Sequence, residues 1–488
     1  MFLGLDLGTT NVKAVAVDAG GRVVVDGSAA VDRFTTPDGG VEQNIEQIYD
    51  AACQAVREAL AGTEASKIQA IGVSSQGGAV QLLDADDQPV GRVISWLDGR
   101  GKPFDDKLVQ EVGEDYLVEH TGCNVSTMTL GQLLRIREKS PDLLERAKQV
   151  GFVGDVIVGR LCGRRAHDVT SLSIAMLYNP SLRRADPDLL KRLGIQEKRL
   201  PELLPVTTPA GRLGEEAAWH MGLPAGIPVS PVVHDQYAAS TGAGSVNEGD
   251  VCLGTGTAWV LVANTARLAR PVTQKTFVCP HPVAGLVGQL LSMGNGGSAL
   301  EWAMQLTGRE NVSGDQLDDM LEAVSPGSDG LRFWPLLLSI RAAAASLDSG
   351  GRLAGIRLAH SANHLLRAVV EGLACELARH LAFFTDAGFP VGRLVMCGAA
   401  AASRATPQIV ADVTGQPVAC VGQPAVSAFG AAVFARALVE TATPLGDLAR
   451  AWAPASRTVK PGEHAAVYRE LLRKYLESFD DPSGMKGS

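Results

Sequence analysis

Cysteine is sparse and scattered: eight in 488 residues, with no C-x-x-C pair among them. That pattern argues against a disulfide frame or a zinc site and fits reduced thiols in the cytoplasm. Cations are in the minority, 44 Lys and Arg against 53 Asp and Glu, for a net charge of -9. No excess of positive charge is left to neutralise a nucleic-acid backbone, so nucleic acid is not an expected partner. A single phosphate held by backbone amides remains compatible with that balance. No apolar run approaches the ~18 residues needed to span a bilayer, and Asp6 arrives too early for a signal-like segment. A membrane partner is therefore not expected, and a cytoplasmic location is. The G-x-S-x-G and Walker patterns are absent, as is any His/Cys grouping at metal-ligand spacing.

What the chain does have is length and a recurring pattern. It is too long for one ordinary core, so two large domains are expected. "FLGLDLGTTNVKAVAVD", residues 2–18, reads as a strand, a Gly-Thr-Thr turn and an alternating strand, and "GGRVVVDG" adds a third strand. Ile45, Ile48, Ala52, Val56 and Leu60 fall at helical spacing within 44–61, and "IQAIGVSSQGGAVQLLD" gives strand, Gly-rich bend and strand. Strands first in a hairpin and then joined through helices predict an α/β domain with a mixed sheet. Residues 103–225 read as a mostly helical insertion packed on it. At residue 249 the theme returns in "GDVCLGTGTAWVLVANTA". The shared order of strand, L-G-T, small residue and strand points to two domains on one plan, unless two hairpins coincide. A long helix is predicted over 361–387, with Ser361 as its N-cap and Gly388 as its stop. "RLVMCGAAAASR" reads as a strand running into small residues, and "PAVSAFGAAVFARAL" as a helix able to pack very closely.

The turn of Gly8, Thr9 and Thr10 presents free N–H groups and hydroxyls in a concave patch suited to an anion, phosphate above all. Gly254, Thr255, Gly256 and Thr257 make a second such turn. Two of them could grip a polyphosphate, and Asp6 beside it could hold Mg²⁺ through water. The plain alternative is a solvated hairpin turn with a satisfied aspartate. Asp235, in "PVSPVVHDQYAASTGAG", follows an apolar strand and precedes small residues of helical character. It is placed to take a proton from a substrate hydroxyl or to cap the following helix, and the two roles can coexist. His234 reads as structural.

With these pieces the chain resembles the FGGY carbohydrate kinases of the actin/Hsp70/sugar-kinase superfamily over almost its full length. "GLDLGTTNVKAVAVD" and "CLGTGT" look like the two phosphate motifs, "GGSALEW" like the segment near the nucleotide phosphates, and "RLVMCGAAAAS…ADVTGQPV" like the adenosine segment. "GRLAGIRLAHSANHLLRAVVE", residues 351–371, satisfies the family's C-terminal signature. The resemblance implies two RNase H-like (actin-like ATPase) domains with mixed β-sheets flanked by helices and a cleft between them. The sugar would be held by 1–244, with its helical insertion about 103–225, and ATP by 245–488. It implies Asp6 near Mg²⁺ and the reacting phosphate, Asp235 as general base, and Gly297, Gly398, Ala399 and Ser403 at the nucleotide. "ISWLDGR" resembles the segment lining the substrate pocket, which makes Trp96, Asp98 and Arg100 candidates; core packing is the other reading of Trp96. Family members are often dimers.

The departures concern the substrate. Gln76 matches the glutamine of the xylulose-kinase motif Q-M-H-G, but Gly77 and Gly78 replace the Met and His that would touch a ketopentose. A roomier pocket is expected, with one hydrogen bond fewer, about 1 kcal/mol in a buried site. The usual G-G-G-A adenosine loop reads Gly398, Ala399, Ala400, Ala401. Gln132 and Arg135 stand where Lys and Trp are common, and the G-E-R-x-P loop reads "LSIRAAAASLDSGG". The expected activity is ATP-dependent phosphorylation of a terminal hydroxyl of a small ketose or polyol, with D-xylulose the first candidate. Other five- to seven-carbon ketoses or polyols are the alternative, as is a nucleotide-binding regulator that has lost transfer.

Overall fold

The computed structural model describes residues 1–337 and 350–480; the loop expected at 338–351 lies outside them except for its last two residues, as does the tail 481–488. The chain divides into two compact units. The first takes Met1–Glu248, Asn264–Leu290 and Ala425–Pro454; the second takes Gly249–Ala263, the described part of 291–424, and the chain from Ala455 onward.

In the first unit the opening meander forms as its alternation predicts: β1 (Phe2–Leu7), β2 (Asn11–Val17) and β3 (Val23–Ala30) pair antiparallel. Helix α1 (Ile45–Ala59) follows, capped by the Asn44 side chain, and buries Ile45, Ile48, Ala52 and Val56. Strand β4 (Ile71–Ser75) then lies parallel to β1, and β5 (Pro228–His234) parallel to β4. The eight-stranded sheet runs Glu202–Leu203, Ala166–His167, β5, β4, β1, β2, β3, with Gly211–Arg212 pairing β5. Helix α2 (Asp235–Gly242) starts where β5 ends.

Residues 103–225 are helical in large part but are more than an insertion. Gln149–Phe152 joins a five-stranded sheet, Ala166–His167 joins the main sheet, and the helix Val153–Cys162 puts Val153, Val156, Ile157, Val158 and Leu161 into the core. Two- and four-residue strands carry too little period to be read from sequence.

In the second unit β6 (Asp250–Thr255) pairs antiparallel with β7 (Trp259–Thr265) and parallel with β8 (Arg393–Gly398), followed by β9 (Val418–Val421) and β10 (Ser456–Val459). Helix α3 is Gly297–Leu306, and α4 is the long helix, Ala362–Asp386, with Ser361 at its N-cap. Gly388 ends it at φ +75°. On α4 the buried Arg367 and Glu371 form an ion pair one turn apart, 2.9 Å between Nε and Oε1. Glu371 also accepts from Gly327 N, Ser328 Oγ and Tyr468 O–H, each at 2.9 Å. This stretch of the C-terminal signature thus acts as scaffold, tying α4 to a loop and to the C-terminal helix.

The chain then supplies α5 (Val426–Ala437) to the first unit. A Cβ on Gly4 of β1 would lie 1.8 Å from Ala428 O, and one on Gly72 of β4 would lie 1.8 Å from Ala431 O. These glycines let a helix backbone lie directly on a sheet, the close packing its small residues predict.

Candidate active site

The carboxyl ends of three parallel strands place the first-unit candidates. Register sets Asp6 opposite Ser74, and Leu7 and His234 opposite Ser75. With strands about 4.8 Å apart, the Asp6 and Asp235 backbones lie about 10 Å from one another across β4. Ser74 Oγ donates to Asp6 Oδ1 at 2.7 Å. Burial, and then the like charge of Asp235, push the Asp6 carboxyl up to about 7, against the opposing effects of Ser74 and Lys13. Burial likewise pushes Asp235 up to about 6, opposed by hydrogen bonds from Gln236. The capping position of α2 belongs to His234, so Asp235 is the helix's first residue.

Thr9 is the joint between the Gly8–Thr10 turn and the sugar-side candidates. Its hydroxyl donates to Gln76 Oε1 at 3.0 Å and accepts from Trp96 Nε1 at 2.9 Å. Gln43 Nε2 donates to the Thr9 carbonyl at 3.0 Å, and Gln76 Nε2 donates to Gln43 Oε1 at 3.1 Å. Gln43 went unnoticed in the sequence; its one signal was a polar side chain in a short strand, here fully buried. Trp96 is 40% exposed, so its ring is not core packing. A Cβ on Gly8 would stand 2.6 Å from Asn11 O, which keeps the turn tight, and Thr10 is exposed.

The expected roominess at Gly77 and Gly78 is not there. A Cβ on Gly77 would lie 2.5 Å from His234 Cδ2 and 2.6 Å from Ile174 Cγ2. Gly78 has φ +73°, and its Cβ would meet Met128 Sδ at 2.9 Å. Side chains from distant parts of the chain have filled the vacated volume. Asp98 and Arg100 are engaged with one another: Nη2 is 2.6 Å and Nε 3.0 Å from Asp98 Oδ2, and Nη2 is 2.7 Å from Glu42. Burial alone would raise Asp98, but the Arg100 hydrogen bonds outweigh it and keep the carboxyl below its usual range. Gln132, one of the departures, donates to the Asp98 carbonyl at 2.9 Å. The pair is therefore engaged within the protein, with Arg100 tying Asp98 to Glu42.

Within the second unit the structure brings the remaining candidates together. Thr255 Oγ1 donates to Cys397 O at 2.7 Å and accepts from Ala400 N at 3.2 Å, linking the Gly254–Thr257 turn to the loop of Gly398 and Ala399. Gly398 sits at φ +93°, and its Cβ would crowd Thr255 Oγ1 at 2.9 Å. Gly297 N donates to Gly256 O and Ser298 N to Thr257 O, both at 3.0 Å, which sets the start of α3 on the same turn. Gly256, Thr257 and Ala399 are exposed. The Ser403 hydroxyl is engaged by Asp318 and Thr406.

Among the described residues no group of three or more His, Cys, Asp or Glu could hold a metal, and no helix is long and apolar enough to cross a membrane. A hard cation here would therefore take fewer than three of its ligands from such side chains. Asp6, half-buried and facing a like charge, has the donor chemistry for it.

The family model described as the N-terminal domain of the FGGY family of carbohydrate kinases matches residues 1–242, and the model described as its C-terminal domain matches 250–438. L-fuculokinase of Escherichia coli (strain K12) is 28% identical over 448 residues, 89% of this chain and 91% of that protein. Xylulose kinase of Bacillus subtilis (strain 168) is 27% identical over 439 residues, 89% and 87%. The crystal structure of xylulose kinase from Rhodospirillum rubrum superposes with a TM-score of 0.85 at 27% identity, covering 98% of each chain.

Proposed function

This chain belongs to the FGGY family of carbohydrate kinases, and from that premise we propose that it phosphorylates a terminal hydroxyl of a small open-chain ketose or polyol, D-xylulose first, with Asp235 as general base. ATP is the phosphate donor of the family. The observation that supports this reading best is the pair of half-buried carboxylates at the ends of β1 and β5, of which Asp235 is pushed up to about 6 by burial. A base poised near the working pH is ionised enough to accept a proton and basic enough to draw it.

As the substrate oxygen attacks phosphorus, Asp235 takes the hydroxyl proton and the bond to ADP breaks in line. Backbone amides of Gly8, Thr9 and Thr10 hold oxygens of the moving phosphoryl group, while the Thr9 hydroxyl ties that turn to Gln76 and Trp96 on the sugar side. Mg²⁺, when bound, would neutralise phosphate charge, with Asp6 as its protein ligand, through water. Gln76, Gly77, Gly78 and Trp96 line the sugar site, and Asp98 and Arg100 support it. Residues 1–244 act as the sugar-binding domain and 245–488 as the nucleotide-binding domain. There Gly254–Thr257, Gly297, Gly398, Ala399 and the Ser403 region carry ATP. A ketose or polyol other than xylulose is the second reading, favoured by Gly77 and Gly78, which lack the Met and His of the xylulose-kinase motif.

The test is ADP release against pentuloses, hexuloses, heptuloses and polyols, with Asp235→Asn as the blank. One sugar should rise far above the rest. Silence across the panel with ATP binding intact refutes the substrate class.

A further inference from the structure

We infer that His234 is a positioning residue for the general base: its imidazole, seated in the slot that Gly77 leaves open, presents Nε2–H to Asp235 Oδ1 and fixes the carboxylate's orientation. The inference rests on Asp235 being the base. His234 is buried, and its Nε2 stands 3.3 Å from Asp235 Oδ1 without yet being aligned as a hydrogen bond, an arrangement of the kind that tightens when substrate binds. One contact holds the backbone of the residue and two bear on its ring. The residue's own N–H donates to Thr170 Oγ1 at 3.0 Å, Gly77 lies against Cδ2 and Nε2, and Tyr237 meets the ring edge-on with centroids 6.2 Å apart.

The tautomer follows from the surroundings. Nδ1 is buried and has no hydrogen-bond partner. Nδ1 is without a partner in either tautomer, so the choice falls on Nε2: unprotonated it would turn a lone pair toward a carboxylate, protonated it faces the carboxylate with a donor. Burial pushes the imidazole down to about 3, so it remains neutral while Asp235 works. It can therefore direct one carboxylate oxygen without competing for the substrate's proton, leaving the other oxygen to accept it.

This account gives Gly77 a purpose. A side chain at 77 and the His234 ring in its present place exclude one another, since the added Cβ would lie 2.5 Å from Cδ2 and 2.7 Å from Nε2.

Three variants and one spectrum test it. His234→Phe keeps a flat ring without the donor, His234→Gln restores an N–H near the Nε2 position, and Gly77→Ala displaces the ring while leaving both residues intact. On the sugar phosphorylated fastest in the panel, beginning with D-xylulose, kcat should fall about tenfold in His234→Phe and Gly77→Ala. KM for ATP should stay within about twofold in all three variants and KM for sugar within about twofold in the two His234 variants, and His234→Gln should recover most of the loss. Nitrogen-15 spectra of histidine-labelled protein without sugar, assigned by the ring lost in His234→Gln, should show the neutral Nε2–H tautomer at pH 7. An Nδ1–H tautomer, an imidazolium, an unchanged kcat in Gly77→Ala, or a Gln variant no better than Phe overturns the proposal. Should His234→Phe fail to fold, Gly77→Ala and the spectrum decide. Asp235→Asn is measured beside them: turnover retained there would defeat the base assignment itself, whereas indifferent His234 variants beside a dead Asp235→Asn defeat only this inference.

Discussion

Gly430 is the position where fold and chemistry can be perturbed together. It lies on α5 where that helix crosses α2, and an added Cβ would stand 1.9 Å from Ala238 O and 2.7 Å from Ala238 C. Ordinary contact begins near 3.4 Å, so Gly430→Ala must drive the two helices about 1.5 Å apart. In an unpacked helix the same change would gain about 1 kcal/mol. Overpacking against rigid backbone costs about 3 kcal/mol, which leaves a net loss of about 2 kcal/mol. For a unit of this size that lowers Tm by about 3 °C. Because α2 opens with Asp235, a shift of about 1 Å at its start also misplaces the base, with a loss of about 100-fold in kcat. Thermal unfolding followed by circular dichroism and ADP release on the best sugar measure the two effects. Gly314→Ala, in the first turn of the helix Gly314–Glu322, has no atom within 4 Å of the added methyl and should be neutral or slightly stabilising. If Gly430→Ala melts like the unaltered protein and keeps its kcat, the close-approach reasoning is wrong.

Three further outcomes are expected. With Asp235 pushed up to about 6, kcat/KM should fall about tenfold per pH unit below pH 6; stability has the opposite sign, since a carboxyl whose folded pKa exceeds its unfolded one binds protons more tightly when folded. The contribution of Asp6 and Asp235 is therefore favourable below about pH 4 and lost as pH rises through 6 to 7, so Asp235→Asn should melt higher than the unaltered protein at pH 8; a lower Tm there would contradict this. Arg367→Met leaves Glu371 without its cation and should cost about 3–5 kcal/mol in urea unfolding, with part recovered in the double variant Arg367→Met/Glu371→Gln; an additive pair would show that the two do not act together. Thr9→Val removes the hydrogen bonds to Gln76 and Trp96 and should raise the sugar KM about tenfold, with little change in Tm; a rise confined to the ATP KM would place Thr9 on the nucleotide alone.

Elements governed by local physics were legible in the sequence. The β1–β3 meander follows from alternation, and α4 from its periodic apolar face, Ser361 at its start and Gly388 at its stop, although Leu365 is only half-buried. Both Gly-Thr turns and both carboxylates were visible because each combines a strand end with a residue type that strands avoid. Contents of the space around Gly77 were not legible. Deleting side chains from a motif predicts a void, but a dense interior refills it, and here His234 and Ile174 do so from remote parts of the chain. Arg100 posed a similar problem, since its partners Asp98, Glu42 and Asp38 meet only after folding. Gln43 carried no motif at all; its role emerges from burial between Thr9 and Gln76.

The late arrival of α5 has a consequence for biosynthesis. A ribosome that has completed β5 and α2 has made a sheet with Gly4 and Gly72 shaped for one helix, and that helix is encoded only after most of the second unit. At elongation speeds of about 5–20 residues per second the interval is about 10–40 s, long compared with hydrophobic collapse of a nascent chain. During it an apolar face waits uncovered on the growing polypeptide. Final closure of the first unit thus waits until α5 has been made, and the N-terminal half made alone should emerge as a client of chaperones rather than as a finished domain.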